Sequence, residues 1–322
     1  MIKTLKWLSV TATVGMMFVL LGGALVTKTG SEDGCGQSWP LCEGQLVPTE
    51  FTFEMAVELS HRLVSGLVGI VVVLLAVLAW KKIGNIREVK FLSFMSVSFL
   101  IIQALIGAAA VVWGQSDFVL ALHFGISLVS YASVFLLMLL IFEIDKKYDS
   151  AALHIKKKHR IEIYSLYIYT FIVVYTGALV RHTESNLVCG DWPLCSNSQP
   201  FSFASFSLEQ WIQMGHRFAA GILFIWTVLF FFKVFLHYRG NKIMFWGWSI
   251  TLFLISLQVI FGGLIIFTLL NLGVALMHAL VITCYVGMLS YFVLLSTRSA
   301  KAEQSLEVNV PDANLSSAYT RT

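Results

Sequence analysis

Glu58-Leu59-Ser60-His61-Arg62 returns later in the chain as Gln213-Met214-Gly215-His216-Arg217, and a second histidine follows each copy at the same distance. His61 and His123 are 62 residues apart, and so are His216 and His278. All four lie in or beside long apolar runs, where a histidine is costly unless it has a partner. The likeness spreads outward from these segments. Gly23-Ala24-Leu25-Val26 matches Gly177-Ala178-Leu179-Val180, Trp39-Pro40-Leu41-Cys42 matches Trp192-Pro193-Leu194-Cys195, and Gln103 and Gly107 match Gln258 and Gly262. The offset stays between 153 and 155 residues, so few insertions separate the copies.

Such a chain cannot be an ordinary soluble domain. Of its 322 residues 57% are hydrophobic and 12% charged, and the mean hydropathy is +0.80. Eight segments, near 7–27, 62–80, 91–113, 118–142, 161–181, 211–236, 244–268 and 272–296, approach the ~20 apolar residues that a bilayer core requires. Four spans per copy put both copies in the same orientation, a parallel repeat about an axis along the membrane normal. The expected fold is an all-α membrane protein whose eight transmembrane helices form two pseudo-symmetric four-helix bundles. Its units are 1–148 and 149–302, with 303–322 as a polar, disordered tail. Bundle cores are where such proteins build cofactor sites.

The net charge of +4 does not point to nucleic acid, because the basic residues follow topology. Lys3, Lys6, Lys81, Lys82, Arg87, Lys90, Lys146, Lys147, Lys156, Lys157, Lys158, Arg160, Lys233, Arg239, Lys242, Arg298 and Lys301 all fall on one face. That face is expected to be cytoplasmic, with both termini inside. The other face carries the long loops 28–60 and 182–210 and four of the five cysteines, as Cys35/Cys42 and Cys189/Cys195. Cysteines confined to outer loops fit an oxidising compartment. A disulfide within each loop is the plain reading, worth roughly 2–3 kcal/mol, although four cysteines allow three pairings. The first helix resembles an uncleaved signal but belongs to the repeat. No Arg- and Ser-rich transit segment precedes it, which favours a bacterial plasma membrane.

The histidines carry the chemistry. Each is placed at the start of its helix, all at one depth near the outer face. Two imidazoles from facing helices can hold a haem edge-on, with the porphyrin supplying the other four ligands. Closed zinc or copper sites need a third or fourth donor that neither half offers at matching depth. The plainer alternative is four buried histidines hydrogen-bonded to neighbours. Lys28, Arg62, Arg181 and Arg217 stand at the outer helix ends and are candidate partners for haem propionates, or else interfacial anchors. Glu58 lies one helical turn before His61 and is replaced by the neutral Gln213 in the other copy. It reads as a catalytic carboxylate beside one site only, or as a helix-terminal acid favoured by the dipole.

Together Glu58-x-x-His61-Arg62, His123, the Cys35/Cys42 loop, Arg181-His182-Thr183-Glu184-Ser185, Gln213-Met-Gly-His216-Arg217 and His278 resemble the haem A synthase family over about residues 1–298. The likeness is to the Gram-positive type with cysteine pairs in both outer loops. The resemblance implies an oxidoreductase that converts a methyl group of haem O to the formyl group of haem A, through an alcohol and a geminal diol that loses water. It implies a haem b held by His216 and His278 in the C-terminal half and passing electrons. Haem O would be received at His61 and His123, with Glu58 at the reacting centre. The partners implied are membrane lipid, haem O, an electron donor and a haem O synthase that delivers substrate. A quinol-linked di-haem cytochrome b and a haem-handling membrane protein without catalysis remain the competing readings.

Overall fold

The computed structural model describes residues 2–46, 48–113, 116–145, 153–196, 198 and 203–308. Eight helices account for nearly all of them: α1 (Ile2–Lys28), α2 (Phe53–Ile83), α3 (Val89–Trp113), α4 (Asp117–Asp145), α5 (Lys157–His182), α6 (Leu208–Tyr238), α7 (Lys242–Phe267) and α8 (Leu272–Val308). All eight contain stretches long and apolar enough to cross a membrane. In the first half α1 packs on α2, α2 on α3, α3 on α4 and α4 back on α1. In the second half α5 packs on α6, α6 on α7, α7 on α8 and α8 back on α5. The halves meet through α1 with α8, α4 with α8 and α4 with α5.

Several helices begin earlier than hydropathy suggests, because caps and not long apolar runs set where they start. Thr52 accepts a hydrogen bond from the Met55 amide and starts α2, and Ser207 and Gln210 form a capping box at α6. The four histidines therefore do not start their helices, as the sequence reading expected. His61 and His216 are each the ninth residue of their helix, and His123 and His278 each the seventh. At the other end α8 stays helical to Val308, past the expected start of a disordered tail at 303. Arg160 pairs with Glu303 at 2.5 Å and holds this extension to α5. Residues 309–322 and the linker lysines Lys146 and Lys147 lie outside the described residues.

The packing is that of a lipid-facing protein. Large apolar side chains such as Phe18, Leu67, Ile101, Phe232 and Phe253 are exposed around the outside, where a bilayer rather than water would solvate them. Small polar residues are buried instead. Thr170, Thr227 and Thr251 each return a hydroxyl hydrogen bond to the carbonyl four residues earlier, and Thr227 also meets the Tyr285 hydroxyl of α8 at 2.8 Å. On the face bearing the α2–α3 and α4–α5 connections, Arg298 of α8 joins three elements. It donates to Glu143 of α4 (2.8 Å) and to Glu88 at the start of α3 (2.8 Å), while Tyr291 donates to Glu143 (2.9 Å). Ile155 donates to Ser299 nearby (2.8 Å).

Removing the charge at the centre of this cluster takes from Glu88 its forked partner and leaves Glu143 with Arg87 and Tyr291. Arg298→Ala is expected to lower stability by about 3 kcal/mol, the low end for breaking a buried pair because Glu88 is partly exposed. Arg298→Lys should recover part of it, since lysine lacks the fork that reaches both acids. Unfolding curves in detergent check this; an unchanged midpoint for Arg298→Ala would reduce the cluster to a surface decoration.

Candidate functional site

A single cavity of about 1540 Å³ opens inside the helices on the side of the two long loops, and all four repeated histidines line it. It exceeds the ~300–1,000 Å³ usual for one drug-sized ligand. Its walls are mainly apolar. Its polar lining includes Glu58, Gln213, Gln103, Gln258, Lys28, Arg62, Arg181 and Arg217.

Each imidazole lies against a glycine on the neighbouring helix. A Cβ added at Gly23 of α1 would meet His61 Cε1 at 3.5 Å, and one at Gly177 of α5 would meet His216 Cε1 at 2.9 Å. The corresponding distances are 3.1 Å from Gly107 of α3 to His123 and 3.5 Å from Gly262 of α7 to His278. These are the glycines that the repeat pairs with one another. Their lack of a side chain lets the histidine ring occupy the space between helices, which is the use of small residues in membrane packing. One turn before Gly262, Gln258 Nε2 lies 2.9 Å from His278 Nε2. Gln103 is buried at the matching place in α3.

The outer loops are fastened over the cavity by the residues flanking the histidines. Disulfides join Cys35 to Cys42 and Cys189 to Cys195, which selects one of the three pairings left open by the sequence. Arg62 donates from Nη1 to the carbonyls of Ser38 (2.7 Å) and Leu41 (2.6 Å). Arg217 donates from Nη1 to the backbone carbonyls of Asp191 (2.7 Å) and Leu194 (3.0 Å), and from Nη2 to the carbonyl of Cys189 (3.2 Å). The sequence offered both arginines as propionate partners; much of their donor capacity is spent on the loops. Arg181 reaches from α5 across the halves to the Thr27 carbonyl of α1 (2.6 Å), and Lys28 lines the cavity beside it.

Glu58 is not a helix-terminal acid. It lies inside α2, is 3% exposed, and accepts from the Cys35 amide at 2.7 Å through Oε2 and from Arg62 at 2.5 Å through Oε1. Gln213 does the same work with different chemistry. Its Oε1 accepts from the Cys189 amide (2.8 Å), and its Nε2 donates to the Asn186 carbonyl (2.6 Å). Both residues anchor their loop, but one holds a charge at the cavity and the other does not.

Three observations test whether haem suits these residues. All four imidazoles line one largely apolar cavity whose volume exceeds that of an ordinary ligand pocket. The glycine cradles leave room at every imidazole. Among the described residues no three His, Cys, Asp or Glu side chains converge, so a metal here needs most of its ligands from elsewhere, as a porphyrin supplies them. The residues fit the group: two imidazoles per half, apolar walls, and cations at the mouth.

Paired histidines around one cavity define a class, that of polytopic helical membrane proteins with an internal histidine-lined chamber. Within it the chain belongs to the cytochrome oxidase assembly protein family, whose sequence profile matches residues 6–290. It is 62% identical over 304 residues to the Heme A synthase of Oceanobacillus iheyensis, covering 94% of this chain and 98% of that one. It is 54% identical over 302 residues to the Heme A synthase of Geobacillus kaustophilus (93% and 94% covered). With the Heme A synthase of Bacillus cereus it shares 49% over 319 residues (99% of each).

Sequence reasoning named the histidines, Glu58 and the cysteines but missed two features. One is the role of Gly23, Gly107, Gly177 and Gly262, although all four were noticed as repeated letters. The other is the difference between Gly22 and Thr176, which adjoin two of those glycines and face His61 and His216. The aligned repeat would have displayed it.

Proposed function

We propose that this chain makes haem A, the activity in its relatives' name, by oxidising a methyl group of haem O to a formyl group in the cavity. The observation that carries this reading is one cavity lined by two equivalent histidine pairs, only one of which has a carboxylate beside it. An electron carrier with two matched haems has no use for that difference. In this reading the halves 1–148 and 149–302 are pseudo-symmetric bundles with separate tasks. His61 and His123 receive haem O, and His216 and His278 hold haem b. When bound, haem b supplies one-electron transfer.

The protein's own residues do the rest. The apolar walls exclude water and suit a lipid-soluble porphyrin. Lys28 and Arg181, with the unused donors of Arg62 and Arg217, face the carboxylates of the bound groups. Glu58 already accepts two hydrogen bonds, yet each carboxylate oxygen has lone-pair capacity left. Beside the bound substrate it can accept or return a proton, or stand next to positive charge that develops there. Arg62 and the Cys35 amide keep it at one place while it does so.

The haem assignment is tested on purified protein. His216→Ala and His278→Ala are each expected to lose low-spin haem b, while His61→Ala retains it. A normal bis-histidine spectrum in both C-terminal variants would rule the assignment out.

For Glu58 the second half shows how a glutamine is accommodated. In Glu58→Gln the amide oxygen can keep the Cys35 bond and the amide nitrogen can turn to a loop carbonyl, as Gln213 does with Asn186. The variant should therefore fold and keep haem b. Haem A yield should fall by ~10²–10⁴ in rate, the usual cost of losing a placed acid–base group, with haem O or its hydroxylated intermediate accumulating. Chromatography of extracted haems reads this directly; normal haem A would leave Glu58 as a loop anchor alone.

The reading places the disulfide loops outside a bacterial plasma membrane and both termini in the cytoplasm. After reduction of intact cells, an impermeant thiol reagent should label Cys35, Cys42, Cys189 and Cys195 and spare a cysteine introduced at Lys157. The opposite pattern would invert the topology.

A further inference from the structure

Next to the glycine that cradles each first histidine, α1 and α5 differ. Gly22 precedes Gly23, whereas Thr176 precedes Gly177. Thr176 Oγ1 lies 2.8 Å from the Val173 carbonyl and 3.0 Å from His216 Nδ1. A carbonyl oxygen can only accept, so the one hydroxyl proton goes to Val173, as is common for threonine within a helix. The hydroxyl oxygen is left to accept from His216. That bond puts the imidazole proton on Nδ1 and leaves the lone pair on Nε2.

The first half lacks this latch. Gly22 has no side chain, and His61 Nδ1 has no hydrogen-bond partner. A Cβ at position 22 would sit 2.8 Å from that nitrogen, too close to be tolerated without movement. The ring of His61 thus stands against the space that, in the other half, a threonine side chain fills.

We infer that Thr176 is a positioning residue that fixes the tautomer and orientation of His216, so that the C-terminal site retains its haem, and that Gly22 leaves His61 unlatched at the site where haem is exchanged. The inference rests on the division of labour proposed above and adds the residues that produce it. A hydrogen bond to the outer nitrogen of a metal-binding imidazole raises its basicity and holds the ring. Loss of such a partner typically costs ~10–100-fold in metal affinity. A site that admits substrate and releases product has no need of that retention.

The test compares Thr176→Val, which keeps the shape and removes the hydroxyl, with Thr176→Ser, which keeps the hydroxyl. Full-length protein is purified with the haem it acquires in the cell. Haem b transfer to excess apomyoglobin, the midpoint potential and the low-spin electron paramagnetic resonance signal are then measured. Thr176→Val should release haem b ~10–100-fold faster, with a shifted potential and altered g-values, and Thr176→Ser should match the parent. A Thr176→Val protein whose release rate and potential equal the parent's would overturn the inference. So would Val and Ser variants that lose haem equally fast, which would mark a packing role. His216→Ala is run alongside: if it keeps normal haem b, the functional reading itself has failed, independently of Thr176.

Discussion

Four imidazoles held against four glycines are the constraint on which this architecture depends. A histidine ring between closely packed helices needs space, and the space comes from Gly23, Gly107, Gly177 and Gly262 on the adjoining helices. Glycine inside a helix costs about 1 kcal/mol relative to alanine. Here that cost is offset by letting the ring lie flush with the neighbouring backbone while facing the cavity. The pairing also fixes which helices must be neighbours. The glycines of α1, α3, α5 and α7 cradle the histidines of α2, α4, α6 and α8, and each such pair is in contact.

On this repeated frame, the two halves differ at single residues beside the histidines. Glu58 and Gln213 hold their loops by the same amide contact, so exchanging one for the other changes charge without changing the scaffold. Gly22 and Thr176 change whether a ring nitrogen has a partner. Neither difference alters a backbone element. A duplicated fold can separate its two sites in this way because the loop contacts that hold them in place are retained in both copies.

The loops illustrate how one residue serves structure and chemistry together. Arg62 and Arg217 project from the helix that carries the histidine and bind carbonyls of the disulfide-closed loop above. The loop is thereby tied to the helix that carries the histidine and not only to its own ends. Glu58 closes the same circuit through the Cys35 amide and Arg62. A carboxylate so held is displaced little from its position at the cavity, and its surroundings are set by the loop it anchors.

Hydropathy, the 62-residue spacing and the duplicated motifs sufficed for an all-helical membrane protein of eight spans, for the histidines, and for a charge difference at Glu58. Long apolar runs and repeated letters are local properties and can be read from the chain. Helix starts could not be read that way, because caps such as Thr52 and Ser207 define them and not the apolar runs that follow. The disulfide pairing, the single shared cavity and the work of Arg62, Arg217, Gly22 and Thr176 were decided by tertiary structure. Each depends on which atoms of the helices and loops come together in space, and no spacing along the chain specifies that.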